Sequence, residues 1–237
     1  MVDKEIMNFR KYLLPPDVFF RHLLAMRELE KIPDLKTVLD VGGSLGEFRK
    51  FFRSDLKVVT ADVIGGDVIY DGHRLPFKNN SFDAVVSIDT LEHVPPLKRV
   101  ELVGEFLRVA KNILVVIAPY AAPAHLKHEL KLRKDYENKG KRIPGYLEEH
   151  LNYGLVTDKQ ISEIAKRYNL SARLAGWVLI DKFNFLIHMF EISPGKLNKA
   201  LYLTKFGWNL SINLLSTLVT VSGSKENASR VVLTCSK

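Results

Sequence analysis

The stretch VLDVGGSLG, residues 38–46, decides the fold of this chain. Short apolar residues with one acid, Asp40, run into a cluster of three glycines, which is typical of a strand that breaks into a tight turn and then opens a helix. Such a turn lets a ligand approach backbone N–H groups that no side chain obstructs, at a helix N-terminus whose dipole favours electron-rich groups. We therefore predict a site for a nucleotide-like cofactor and a helix over residues 46–52.

The spacing of the glycines disfavours a dehydrogenase. Nicotinamide-binding turns follow the fingerprint G-x-G-x-x-G. Counting from Gly42, the second glycine position holds Ser44 and the third holds Glu47. The turn is therefore predicted to bind a cofactor of another kind.

Strands and helices alternate from residue 37 onward, which predicts an α/β fold with a parallel sheet and crossover helices. Pro15 and Pro16 start a helix within an N-terminal helical extension, residues 1–36. A second pair, Pro95 and Pro96, starts a helix of the main domain, residues 37–237. The strands predicted in the first half of the chain are residues 38–41, 57–62, 84–88 and 112–118.

The second half of the chain contains two unusual segments. Residues 119–154 are polar and longer than an ordinary connection, so we predict an irregular lid over a site. A capping box, Thr157-Asp158-Lys159-Gln160, then starts a further helix. Residues 183–222 form an insertion whose predicted helical hairpin is apolar on most sides, apart from a polar stripe that includes Asn209 and Asn213. Such a hairpin packs on the fold, dimerises or leans on a membrane.

Composition narrows the class of protein. Of 237 residues, 46% are hydrophobic, which is enough for one sizeable domain. With a single cysteine, Cys235, there is no disulfide framework, and no metal site is predicted. No apolar run reaches about 18 residues and the N-terminus lacks a signal-peptide pattern, so we expect a cytoplasmic protein. A net charge of +8 is compatible with an acidic partner or an anionic membrane surface.

The glycine-rich stretch resembles the first motif of class I S-adenosylmethionine (SAM) dependent methyltransferases, acid-x-Gly-x-Gly-x-Gly. Asp40, Gly42 and Gly46 stand in register, and Ser44 replaces the middle glycine. The segment Leu91-Glu92-His93-Val94-Pro95 is similar to the loop after the fourth strand in the small-molecule, type 11-like members. The resemblance implies a Rossmann-like, seven-stranded, mostly parallel sheet closed by an antiparallel terminal hairpin, here residues 171–180 and 230–235.

The resemblance also implies SAM as the cofactor and assigns its contacts. Asp62, at the end of the second strand, is placed to accept both ribose hydroxyls. Asp71 takes the adenine role, and the turn at residues 64–66 replaces the usual helix before it. The full set of predicted cofactor-binding residues is Asp40, Gly42, Gly43, Gly46, Asp62, Val63, Asp71, Gly72, His73 and Asp89.

Methyl transfer from SAM is an in-line displacement, so positioning the acceptor supplies much of the acceleration. A general base is needed only where the acceptor loses a proton. His93 and His150 are the candidate bases, although each also fits a purely structural role, such as helix capping by His93.

The acceptor stays open at this point. A small-molecule, lipid-like or saccharide acceptor is favoured, with peripheral membrane contact through residues 183–222. Nucleic acid is disfavoured, because the place of the polar-Pro-Pro-aromatic motif of base methyltransferases reads Asp89-Thr90-Leu91-Glu92. An RNA methyltransferase and a non-catalytic SAM-fold binding protein remain the alternatives, and the oligomeric state is not predicted.

Overall fold

One seven-stranded sheet organises the chain in the computed structural model, which describes residues 9–44, 46–52, 56–176, 197–218 and 222–237. The strand order is β3-β2-β1-β4-β5-β7-β6. Strands β1 to β5 pair in parallel, and β7 runs antiparallel to both β5 and β6. This is the predicted mostly parallel sheet with an antiparallel terminal hairpin. The strands are β1 Thr37–Val41, β2 Lys57–Asp62, β3 Val68–Ile69, β4 Phe82–Ile88, β5 Ala110–Pro119, β6 Ser171–Ala175 and β7 Arg230–Ser236.

Helices cover both faces of the sheet. Neighbouring residues of β1 point to opposite faces, so Val38 packs with helix α1 (Pro16–Leu29) and Leu39 packs with α2 (Arg99–Val109). Helix α5 (Asp158–Tyr168) lies on the same side as α2 and begins with the predicted capping box. The other described α-helices are α3 (Pro123–Asn138), α4 (Gly145–Tyr153) and α6 (Leu197–Leu218).

The helix predicted over residues 46–52 is present, but it is a short 3₁₀ helix. Gly46 adopts a left-handed conformation (φ 64°), and only a five-residue 3₁₀ helix, Glu47–Phe51, follows it. Its Phe48 and Phe51 are buried, and both rings pack against α1. Side chains three residues apart eclipse one another in a 3₁₀ helix, so this short turn places both rings on one side.

The lid predicted over residues 119–154 is not irregular, because most of it is helical. Helix α3 buries His125, His128, Glu129 and Leu132 at helical spacing. Three of these four are polar, so the amphipathic pattern is hidden when only apolar residues are counted. Helix α4 follows after a short connection and lies beside the loop at Leu91–His93.

Three smaller differences concern connections. The helix expected to be absent after β2 is absent, but the two-residue strand β3 was not predicted. Strand β6 ends at Ala175 and not at residue 180, with Gly176 in a positive-φ conformation (φ 73°); residues 177–180 lie outside the described residues. Of the predicted hairpin at residues 183–222, the structure describes α6, while residues 183–196 and 219–221 lie outside the described part.

Helix α6 packs with its polar stripe inward. The amides of Asn209 and Asn213 are buried and donate to backbone carbonyls of Tyr12, Leu13 and Leu14. The opposite side of the helix therefore presents apolar side chains outward, and the most exposed are Leu215 (59%) and Leu218 (82%). None of the described helices is long and apolar enough to cross a membrane.

A fully buried arginine joins the loop after β4 to the end of the lid. Arg99 is 0% exposed and donates to the carbonyls of Val94, Tyr153 and Gly154 and to the side chain of Gln160. One side chain thus satisfies acceptors from three separate segments. These segments flank the site described below, so Arg99 also fixes the shape of that site.

We expect Arg99→Met to lower the free energy of unfolding by about 3 kcal/mol, because it leaves several buried acceptors without a donor. Urea denaturation measures this change. The matched control is Arg133→Met on α3, whose arginine forms a surface pair with Glu137. Its effect should stay within about 0.5 kcal/mol. Equal stability losses in the two variants would contradict the role assigned to Arg99.

Candidate active site

Two cavities adjoin at the edge of the sheet where the parallel strands end. The first, of about 680 Å³, lies over the ends of β1, β2 and β4, and the second, of about 630 Å³, lies between α1, the lid helices and α6. Asp89 and His93 line both cavities. Ligands of open α/β folds bind at this edge of the sheet, and both volumes suit small molecules.

At two positions of the turn after β1, neighbouring side chains lie so close to the backbone that only glycine fits. Gly42 has a positive φ of 86°, and a Cβ there would lie 2.1 Å from Thr90 Oγ1. A Cβ on Gly43 would lie 2.0 Å from Asp40 Oδ2. Burial, opposed by Arg49 and reinforced by Asp62, raises the pKa of Asp40 to about 7. Asp40 is buried against the turn at Gly43 and does not line the first cavity.

The structure brings most, but not all, of the predicted cofactor residues to the first cavity. Those lining it are Gly42, Asp62, Val63, Gly72, His73 and Asp89. Those not lining it are Asp40, Gly43, Gly46 and Asp71. The lining residues that the sequence did not single out include Tyr70, Thr90 and Leu102. Their side chains gave no motif, because an aromatic, a threonine and a leucine at these places are equally typical of a core.

Asp62, the last residue of β2, lines the first cavity. Its two carboxylate oxygens accept hydrogen bonds from the backbone N–H groups of Ser44 (3.1 Å) and Ile64 (3.2 Å). Ser44 belongs to the turn after β1, so the carboxylate links the ends of β1 and β2. These hydrogen bonds orient the Asp62 carboxylate beside the backbone of Gly42.

Asp71 lies on the exposed loop next to Gly72. Its Oδ1 accepts from the N–H groups of Arg74 and His73, both at 2.8 Å, and these bonds lower the pKa of Asp71. The same loop is fixed from α2, since Glu105 accepts from the N–H of Leu75 (2.8 Å). Asp71 is thus held in place beside the cavity, with no side-chain contact across it.

Asp89 forms a buried ion pair at the boundary of the cavities. It adopts a positive φ of 48° directly after β4. Its Oδ2 accepts from Arg21 of α1 and from Arg230 of β7 (3.1 Å). Although burial opposes it, Arg230 and Arg21 hold the pKa of Asp89 at about 2. The sequence predicted a cofactor contact for Asp89 but missed both arginines, which lie 68 and 141 positions away.

Both candidate bases lie close together, each beside a carboxylate. His93 Nδ1 is hydrogen bonded to Glu149 Oε2, and His150 Nδ1 to Glu129 Oε1 at 2.7 Å. The two imidazole rings are 5.4 Å apart between centroids. Glu92 lies beside them and is 1% exposed. Burial and the neighbouring charge of Asp89 raise the pKa of Glu92.

Residues 55–115 match a family model described as a methyltransferase domain. This range contains β2 to β4, α2 and the loop with Asp89 and His93. No curated protein sequence shows significant similarity to the chain.

Solved structures with similar folds include several methyltransferases. A SAM-dependent methyltransferase from Archaeoglobus fulgidus is 14% identical over 92% of this chain and 94% of its own, with a TM-score of 0.50. Phosphoethanolamine N-methyltransferase 2 from Haemonchus contortus, in complex with S-adenosyl-L-methionine, is 15% identical over 91% of this chain and 52% of its own, with a TM-score of 0.49. Magnesium protoporphyrin IX methyltransferase from Synechocystis, with bound SAH, is 14% identical over 99% and 86%, with a TM-score of 0.46.

At 14–15% sequence identity, the similarity to these solved structures shows the fold alone. The match of residues 55–115 to a methyltransferase domain indicates the reaction. This match and the fold together support the family resemblance, the enzyme class and the cofactor that the sequence predicts. Residues 55–115 of this chain thus match a methyltransferase domain within a Rossmann-like methyltransferase fold, and both findings support an enzyme that uses SAM.

Proposed function

We propose that the first cavity binds SAM, that the second cavity holds a lipid-like acceptor, and that the methyl group crosses between them beside Asp89 and His93. The observation that carries this proposal is that the two cavities share these two residues as a common wall. A methyl donor and its acceptor must meet in line at short range, and adjoining cavities of this size allow that arrangement.

In this proposal the contacts to SAM come from the strand ends. Asp62 accepts the ribose hydroxyls through the same carboxylate that now accepts two backbone N–H groups. Gly42 lines the first cavity, so the cofactor lies against the backbone of this turn. Gly72 and His73 flank the adenine, with Asp71 at the rim of the cavity.

The reaction forms a bond from the acceptor atom to the methyl carbon and breaks the bond from that carbon to sulfur. The electron pair stays on sulfur, which gives S-adenosylhomocysteine. Where the acceptor carries a proton, His93 and His150 are the candidate bases, and both line the second cavity. Most of the rate enhancement comes from positioning, because the sulfonium already activates the methyl carbon.

The acceptor class follows from the double role of α6. Its Lys205 and Asn209 line the second cavity, whereas Leu214, Leu215 and Leu218 are exposed on the helix. A helix that lines an acceptor pocket and also presents leucines outward suits an enzyme whose acceptor resides in a lipid surface.

Charge favours an anionic membrane as the partner of this surface. The chain carries a net charge of +8, and the sequence of α6 contains lysine but no aspartate or glutamate. Basic residues near an apolar face strengthen binding to anionic lipids. A peripheral contact through α6 would bring the second cavity to the lipid surface.

We expect Asp62→Ala to weaken SAM binding by about 100-fold or more, because two charge-assisted hydrogen bonds to the ribose are lost. Isothermal titration calorimetry measures this loss. Asp62→Asn tests folding, since it keeps one acceptor oxygen, and Asp135→Ala on α3 is the remote control. Failure of the wild type to bind SAM, or equal binding by Asp62→Ala, would contradict the proposed site.

We expect the wild-type protein to float with vesicles that contain anionic lipid, and the double variant Leu215→Gln, Leu218→Gln to bind about tenfold more weakly, since less apolar area is buried. Both leucines are exposed, so the fold should persist. The matched control replaces exposed residues elsewhere, Ile69→Gln with Leu97→Gln, and should float like the wild type. Equal flotation of the two double variants would refute the membrane contact.

A further inference from the structure

We propose that Glu92, His93 and His150 bind a divalent transition-metal ion at the boundary of the two cavities. One ligand atom from each of these side chains lies within 4.8 Å of the others. Two imidazoles and one carboxylate form a three-ligand set that leaves coordination positions open for a further ligand.

The hydrogen bonds around the histidines already have the arrangement of a metal site. A carboxylate accepts from Nδ1 of each ring, Glu149 for His93 and Glu129 for His150. Because a carboxylate occupies Nδ1 of each ring, Nε2 is the ring atom that can face an ion. Metal-ligating histidines almost always donate their other N–H to such a partner, which fixes the ring and its tautomer.

The buried carboxylate of Glu92 supplies an independent observation. Its Oε2 is buried and has no hydrogen-bond partner among the described residues. Its Oε1 lies 3.8 Å from His93 Nε2. A buried carboxylate oxygen without a hydrogen-bond partner is costly, and the nearby charge of Asp89 increases that cost, although Arg230 and Arg21 offset part of it. An ion between the three side chains would remove it.

The ligand set selects the kind of ion. Mg²⁺, Ca²⁺ and Mn²⁺ prefer oxygen ligands, whereas imidazole suits Fe²⁺, Ni²⁺, Cu²⁺ and Zn²⁺. Glu92 and His150 line the second cavity, so the open positions of the ion would face the acceptor. The ion would therefore be resident in the acceptor pocket.

An ion there points to an oxygen acceptor, and this part of the inference rests on the proposed function. Such an ion would lower the pKa of a bound hydroxyl, so that the hydroxyl proton would pass to solvent and the oxygen would attack the methyl carbon. The carbon–sulfur bond breaks and its electrons remain on sulfur, so the products are the methyl ether and S-adenosylhomocysteine. The acceptor class is thus a hydroxylated lipid-like molecule.

The test is a titration of the chelator-treated, full-length protein with CoCl₂, followed by visible absorption. We expect one bound Co²⁺ per chain, and at least tenfold weaker binding in Glu92→Gln and His150→Gln. His73→Gln is the matched control for stray imidazole binding, because His73 is exposed and lies outside the cluster. Its Co²⁺ affinity should equal that of the wild type.

Glu149→Gln gives a second, milder variant. Glu149 is half exposed, so its replacement should leave the fold intact while weakening Co²⁺ binding about tenfold through His93. Absence of stoichiometric Co²⁺ binding by the wild type, or equal affinity in Glu149→Gln and His150→Gln and the wild type, would overturn the site. A SAM titration of the same samples separates the two proposals: SAM binding without Co²⁺ removes only the metal, and Co²⁺ binding without SAM removes only the proposed function.

Discussion

The ion pair of Asp89 with Arg21 and Arg230 is the interaction on which the site depends. It joins the end of β4 to helix α1 and to strand β7, which are far apart in the sequence. Removing one partner of such a buried group leaves an uncompensated charge, which is strongly destabilising. Because Asp89 starts the loop that carries Glu92 and His93, the same ion pair fixes the wall between the two cavities.

The two cavities have different structural origins. Strand ends and their turns build the first cavity, where Gly42 and Asp62 hold fixed positions through the sheet register. The second cavity is built from α1, the lid helices and α6, which are additions around the sheet. Arg99 connects the two regions through Val94, Tyr153 and Gly154. In the proposed function, the cofactor site and the acceptor site are therefore formed by different parts of the chain.

Local patterns in the sequence predicted the sheet and the capping box at Thr157, because each depends on neighbouring residues. The helical lid was missed, since His128 and Glu129 occupy buried helical positions that polarity counting assigns to solvent. The inward polar face of α6 was equally hidden, because the partners of Asn213 are backbone carbonyls about 200 residues away. Pairings over such distances leave no local signal in one sequence.

Transfer of label from methyl-labelled SAM tests the proposed lipid-like acceptor directly. The full-length protein is incubated with labelled SAM and a fractionated cell extract, and the label is followed into the lipid, glycan, protein and RNA fractions. We predict that more label enters the lipid fraction than in a heat-inactivated control. Label confined to the RNA, glycan or protein fraction, or no transfer at all, would contradict it.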